Sequence, residues 1–352
     1  MQKNIKKDFP ILHNNSWIVY LDNAATVHKP SYVIEGLRDF FAYDYSNIHR
    51  WSYPIAERSE NLYDLAKEKF AEHIGCNSNE LVFTYNATYA SNMIVSLMVA
   101  NQKIQTGDKI LLLISEHHAN IVPRLYVQKT INIQIEYIRL DQDYRIDRED
   151  LKQKCTSDTR AVVVNHISNV TGVINPMQDL QQFICSSIWN DWYFVVDWSQ
   201  SIQNLPLSVH DLQCDFFFCT GHKIMADTWL WILYINNKIW SNLDPVWTGW
   251  DMIKDVYEDW YNIVDGFQKF EPWTPHIAWA VSLQLAIDYI ASLWGMATIN
   301  SIENDLVVYT LHTLQKFHEK FWPILCLIWP FDSQERTWIF SFTFSEDGHL
   351  HK

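Results

Sequence analysis

Asp197 and Lys223 are the residues whose settings in the chain invite chemistry first. Asp197 closes the apolar run Phe194-Val195-Val196, and Lys223 follows Phe216–Cys219 in the segment Thr220-Gly221-His222-Lys223. Each polar group stands at the tip of a run that reads as a strand buried on both faces. A lysine beside low-dielectric walls sheds its charge readily and becomes a nucleophilic amine, the requirement for a Schiff base. A buried carboxylate can hold a ring nitrogen protonated, which an electron-sink cofactor such as pyridoxal 5'-phosphate (PLP) needs. Asn86-Ala87-Thr88 offers amide donors and a hydroxyl at the start of a helical pattern, a natural seat for a phosphate. An imidazole from Glu116-His117-His118 could lie on a ring face. Taken singly, a strand-tip Asp or Lys is more often half of a structural ion pair.

The elements that must position these groups follow from periodicity. Strand candidates are Leu81–Thr84, Lys109–Ile114, Ile133–Ile138, Ala161–Asn165, Tyr193–Val196, Phe216–Cys219 and Trp231–Ile235. Helical patterns such as Ala56–Ile74, Tyr89–Asn101, His118–Thr130 and Met177–Trp189 lie between them. Strand and helix in alternation predict an α/β domain whose mostly parallel, seven-stranded sheet is sandwiched by helices. Ligands of such sheets sit beyond the carboxyl ends of the strands, where these polar residues fall. From about Ile277 the pattern turns helical (Ala278–Ala291, Ile299–Phe321) and closes on a strand-like run, Thr337–Phe344.

Composition narrows the function. The chain has 352 residues, 48% hydrophobic and 19% charged, with a formal net charge of −14. That charge offers no general basic field for nucleic acid or anionic membranes, so neither is expected as a partner. Six cysteines without a CxxC pair read as reduced thiols, the pattern of a cytoplasmic protein. The start has no apolar h-region of a signal peptide. The most membrane-like stretch, Ala278 to Ala297, carries Gln284 and Asp288 and has the period of a core helix.

Ten collinear segments resemble one family. They include YLDNAAT (20–26), NIHRW (47–51), ELVFTYNAT (80–88), SEHHANIVP (115–123), VVVNHISNVTGVINP (162–176), VVDWSQS (195–201), CDFFFCTGHK (214–223) and FEPWTPHIA (270–278). The chain resembles the class V fold-type I PLP enzymes, and within them the SUF-type (group II) cysteine desulfurases and selenocysteine lyases. The resemblance implies a PLP-binding large domain over 14–290 and an incomplete α+β small domain from 1–13 and 291–352. It implies that Lys223 carries the cofactor and shuttles the substrate Cα proton, that Asp197 pairs with the pyridinium nitrogen and that Gln200 bonds the phenolic oxygen. His117 would stack on the ring, with Asn169 near its oxygen side. Ala87, Thr88, Thr220 and His222 would hold the phosphate, and Thr274 would reach the phosphate of the partner in a homodimer. The implied reaction takes L-cysteine to L-alanine and an enzyme persulfide, whose sulfur passes to an acceptor protein of Fe–S cluster assembly. No metal is implied. Another class V activity (aminotransferase, epimerase or selenocysteine lyase) and a non-catalytic paralogue acting by binding are the alternative readings.

Two departures from the family pattern stand out. Tryptophan occupies eight positions where the pattern has glycine: Trp51, Trp198, Trp229, Trp231, Trp250, Trp273, Trp279 and Trp338. The chain has 9 glycines and 17 tryptophans, and together they come to about the ordinary glycine share of roughly 7%. Glycine at such turns would supply a left-handed backbone or close approach to the cofactor. A gene that writes glycine as UGA, translated with UGA as tryptophan, accounts for the deficit and the positions together; genuine tryptophan in a divergent paralogue is the competing account. A peptide of the native protein with Trp at 198 or 229 would exclude the first. Second, the family's nucleophilic cysteine and the arginine that clamps the substrate carboxylate are expected beyond Lys352, so the chain reads as truncated. The six cysteines present are expected to be small core thiols in helix, turn or strand-flanking positions.

Overall fold

The structure is a computed structural model that describes residues 5–50, 52–188, 191–206, 208–293, 295–321, 325–328 and 330–344. Trp51 and the final run SEDGHLHK (345–352) lie outside the described residues. Seven strands form one mixed sheet in the order β1-β7-β6-β5-β4-β2-β3. They are β1 (Leu81–Thr84), β2 (Lys109–Leu113), β3 (Gln134–Ile138), β4 (Thr159–Asn165), β5 (Tyr193–Asp197), β6 (Phe216–Thr220) and β7 (Trp231–Ile235). All seven strand candidates from the sequence form, with ends displaced by two residues at most. The chain divides into two compact units, residues 1–103 with 207–293, and 104–206 with 294–352.

In the first unit β7 runs antiparallel to both β1 and β6. The helices Ser31–Tyr43 and Pro54–Ile74 pack on Ile277–Ser292. Gly75 ends the Pro54–Ile74 helix in a left-handed cap (φ 68°), as C-terminal glycines commonly do. A buried ion pair pins this unit: Lys67 Nζ lies 2.9 Å from Glu271 Oε1. Glu271 also accepts from the Tyr63 hydroxyl at 3.1 Å and the Phe83 amide at 2.6 Å. Such a carboxylate is stable in the interior because its lone pairs are filled. A hairpin of two short strands, β8 (Ile253–Val256) and β9 (Tyr261–Ile263), completes the unit. Its charged, exposed sequence shows no apolar period.

In the second unit β5, β4, β2 and β3 are parallel neighbours. The sequence-based reason holds for β2 and β4: Ile110–Leu113 and Val162–Val164 are buried on both faces. Each such side chain contributes about 1.5–3 kcal/mol on leaving water. β3 departs from it, since Gln134 is exposed and only Ile138 is buried. The helices His118–Ile131, Arg148–Lys154, Met177–Ser187 and Gly295–Phe321 belong to this unit. The run Thr337–Phe344, expected as one strand, pairs only at its end, where β11 (Phe342–Phe344) meets β10 (Leu325–Leu327). Arg336 diverts the rest. Its buried guanidinium donates to the carbonyls of Ile328, Pro330, Thr171 and Ile339, and the Thr337 amide donates to Gly172 O at 2.9 Å. Gly172 allows this approach: its φ is +74°, and a Cβ there would meet Ile339 O at 2.5 Å.

Cysteine placement corrects the sequence reading at two positions. Cys326 lies in β10, and Cys185 is exposed on the Met177–Ser187 helix, while Cys155, Cys214 and Cys219 are buried. Among the described residues no single helix is long and apolar enough to cross a membrane, and no cluster of His, Cys, Asp and Glu could hold a metal ion.

Candidate active site

The first unit carries the lysine. β6 ends at Thr220 and β7 begins at Trp231, and the loop joining them folds back because Gly221 N donates to Leu230 O at 2.9 Å. At Gly221 a Cβ would stand 3.1 Å from that same carbonyl, so the smallest residue suits the turn. Gly221–Ile224 forms a single 3-10 turn that Met225 closes with φ 69°. Lys223 rides on this turn. Thr220 is fully buried, and its hydroxyl has no hydrogen-bond partner. His222 Nδ1 lies 3.1 Å from the Thr26 hydroxyl, and Val27 N donates to His222 O at 3.2 Å. The YLDNAAT segment therefore braces the lysine turn, a role the sequence reading did not assign to Thr26. Burial, then the charges of Lys223 and Lys29, push the His222 imidazole down to about 4.

The same unit holds the helix start that the sequence reading expects to seat a phosphate. Asn86 caps the helix Ala87–Ala100, its Oδ1 accepting from Tyr89 N at 2.7 Å. Ala87 is buried and Thr88 is exposed at the first turn, where amides lack intrahelical partners. Thr274 is exposed between Trp273 and Pro275.

The second unit carries the carboxylate. Asp197 ends β5 opposite Asn165 of β4, 8% exposed. Its Oδ1 accepts from Ser199 N at 2.9 Å, and its carbonyl accepts from His166 N at 2.9 Å. Asn175 donates to Asn165 O at 2.8 Å, and Asn165 donates to Ser115 O at 2.6 Å. This chain of amides joins the strand tips to the segment before His117. His117 is exposed and caps the helix His118–Ile131, Nδ1 accepting from Ala119 N at 3.1 Å. Gln200 is buried, with Oε1 accepting from Gln203 at 2.9 Å. Asn169 is half-buried in the turn between Ile167 and Ile174.

Asn120 and Arg124 of the second unit escaped the sequence reading, which took Glu116 only as part of the Glu116-His117-His118 segment. Glu116, Asn120 and Arg124 are buried and linked by side-chain hydrogen bonds. Their spacing of four was the available signal, since it stacks them on one helix face. Burial, then the charge of Asp197, pushes the Glu116 carboxyl up to about 8.

The tryptophans at family glycine positions are accommodated without left-handed backbone. None of the seven described has a positive φ, which removes that reason for glycine at these places. Trp198 is buried, and its indole donates to His166 Nδ1 at 3.0 Å. Trp279 stacks on His276 at 3.4 Å between centroids and faces Trp229 at 6.2 Å. Trp250 lies under the Arg50 guanidinium at 4.2 Å. Trp273 packs against Tyr85 and Tyr89, Trp231 begins β7, and Trp338 donates to Asn204. Close backbone approach to a ligand remains the reason a glycine would serve there.

Comparison with known proteins bears on the family and the fold. The family described as "Aminotransferase class-V" matches residues 19–351. A probable cysteine desulfurase of Synechocystis is 34% identical over 309 residues, covering 87% of this chain and 72% of the relative. A cysteine desulfurase of Haloferax volcanii is 32% identical over 335 residues, covering 90% and 77%. The apo structure of a cysteine desulfurase from Thermococcus onnurineus superimposes with a TM-score of 0.88 at 26% identity, covering 99% of this chain and 83% of that one. With the lysine turn, the capped helix and the strand-tip carboxylate all on the family's motifs, the chain belongs to the class V aminotransferase family, on its cysteine desulfurase-like branch.

Proposed function

We propose that the chain is a PLP-dependent cysteine desulfurase that takes sulfur from L-cysteine. The observation that carries the reading lies in the first unit, where the turn bearing Lys223 also presents the buried, unpartnered Thr220 hydroxyl. Around the lysine turn, burial and then the charges of Lys223 and Lys29 depress His222, and the buried Thr220 hydroxyl lacks a partner. That half suits an anion. Around Asp197, two acids act on one guanidinium, Arg124. That half suits a cation. A phosphate supplies the acceptor that the Thr220 hydroxyl lacks, and a protonated ring nitrogen suits a strand-tip carboxylate such as Asp197, so the residues of each unit fit a part of PLP.

Bound PLP supplies the electron sink that makes the substrate Cα proton removable. Lys223 anchors the cofactor through Nζ and moves the Cα proton. The amides at Ala87 and Thr88, with the side chains of Thr220 and neutral His222, bind phosphate oxygens as donors. Asp197 and Gln200 would hold the ring by its nitrogen and its oxygen, with His117 against a face and Asn169 near the oxygen. The sulfur step would require an activated cysteine thiolate to attack the substrate sulfur. The S–S bond forms, the Cβ–S bond breaks with its electron pair staying on carbon, and protonation gives alanine.

The described cysteines supply no activated thiol in buried places: burial pushes Cys76 up to about 12 and Cys155 to about 11. A low thiol pKa is what sulfur-attacking cysteines need. The finer reading is a cytoplasmic homodimer, with residues 14–290 as its PLP-binding domain, that passes sulfur to an acceptor of Fe–S assembly. Phe41, Tyr43, Tyr45 and Tyr53, all exposed at one end of the Ser31–Tyr43 helix and its continuation, support burial against a second copy. Exposed Thr274 fits a residue that reaches across to the partner.

The test is uptake of PLP by the purified chain, borohydride reduction and peptide mapping. Label on Lys223 with a visible Schiff-base band is the expected result. Label elsewhere, or none, would sink the reading and favour a role in binding without catalysis.

A further inference from the structure

The start of the helix His118–Ile131 carries a buried acid with no part in holding the cofactor or moving the substrate proton. Glu116 is 5% exposed, Asn120 0% and Arg124 1%. Glu116 Oε2 accepts from Asn120 Nδ2 at 2.8 Å. The Asn120 carbonyl and side-chain oxygens accept from Arg124 Nη1 at 2.7 and 2.6 Å. The other carboxyl oxygen, Glu116 Oε1, is buried without a hydrogen-bond partner.

The charged groups acting on Glu116 are Asp197, from the tip of β5, and Arg124, from its own helix; the Asn120 side chain and the His117 amide add hydrogen bonds. Arg124 in turn feels both Glu116 and Asp197. Two acids and one guanidinium in a buried place leave one negative charge over, and a proton on one acid is the least costly remedy. Oε1 is the oxygen with room for it, because Oε2 is already accepting from Asn120.

We propose that Glu116 is a positioning residue acting through Asp197: by carrying the one proton that the acid pair and Arg124 require, it leaves the negative charge on Asp197 for the ring nitrogen. This rests on Asp197 being the nitrogen's partner. Glu116 is neutral at physiological pH, and when it ionises the added charge strengthens the hold on the ring proton. The Glu116–Asn120–Arg124 chain thereby couples the proton affinity of the cofactor ring to pH.

Infrared titration of the full chain without cofactor tests the pair directly. The difference between the unmodified protein and Glu116→Gln should contain a protonated-carboxyl band lost with a midpoint near 8. Taking the difference removes the signal of Glu303, which burial also pushes to about 8. In Asp197→Asn the band should be lost about one pH unit lower or more, because the like charge has gone. Absence of the band, or an unmoved midpoint in Asp197→Asn, would overturn the proposal. A second measurement does not depend on that variant folding. With PLP bound, the visible spectrum should change between pH 7 and 9 more in the unmodified protein than in Glu116→Gln; identical profiles would overturn coupling to the ring. Failure to bind PLP at all would instead remove the cofactor reading, and the titration without cofactor would still decide whether Glu116 and Asp197 are paired.

Discussion

The lysine half and the carboxylate half are built by different means. Lys223 sits on a 3-10 turn inside a loop between antiparallel strands, held by side chains and amides of the Thr26–Val27 segment. Asp197 is part of a strand, held by parallel register against Asn165. The proton affinities of their neighbours move in opposite directions, His222 down to about 4 and Glu116 up to about 8. The contrast teaches that a residue which must move a proton is mounted on a loop, and one which must hold a charge still is mounted on the sheet.

Lys223→Ala breaks the contrast most severely. It removes both anchor and proton carrier, and exchange of the Cα hydrogen of added L-cysteine or L-alanine with solvent deuterium should fall by about 10³-fold or more, while far-UV circular dichroism stays unchanged. Next comes the brace of the first unit. Glu271→Ala leaves Lys67 buried without its partner, and denaturant unfolding should show a loss of about 3–5 kcal/mol.

Glu116→Gln sharpens the comparison through pH. The folded protein keeps the Glu116 proton up to about 8, against an ordinary value of 4.5. The stability linked to that proton is complete below about pH 4.5 and is lost as pH rises through about 8. Urea midpoints from pH 5 to pH 9 should therefore fall more in the unmodified protein than in Glu116→Gln, by about 1–3 kcal/mol. Equal slopes would show that Glu116 ionises normally. The smallest effect is Thr220→Val. It removes a buried hydroxyl that has no partner, so stability should change by no more than about 1 kcal/mol. PLP affinity measured by fluorescence should drop about tenfold, the loss of one hydrogen bond to a charged oxygen.

Much of this was legible in the chain. The runs around Ile110 and Val162 announce their strands because both faces are apolar, and Asp197 and Lys223 stand out by ending such runs. The hairpin Ile253–Ile263 was not visible, since Lys254, Asp255 and Glu258 face solvent and leave no period to detect. Thr337–Phe344 reads as one strand because pattern cannot show that Arg336 takes the neighbouring carbonyls. Glu116 passed as part of a motif, because burial, which gives it its character, comes from segments remote in sequence. The tryptophans misled on backbone alone: identity at a family glycine position does not tell whether φ or proximity set the requirement.

The Arg336 brace also bears on how the chain reaches this state. Its bond to Thr171 O spans 165 residues, a closure whose entropic cost is met only after most of the chain has been ordered. During synthesis the turn at Gly172 leaves the ribosome long before the guanidinium that fastens it. Until Arg336 arrives, the polar segment 168–173 lacks its strap, and this part of the second unit assembles among the last.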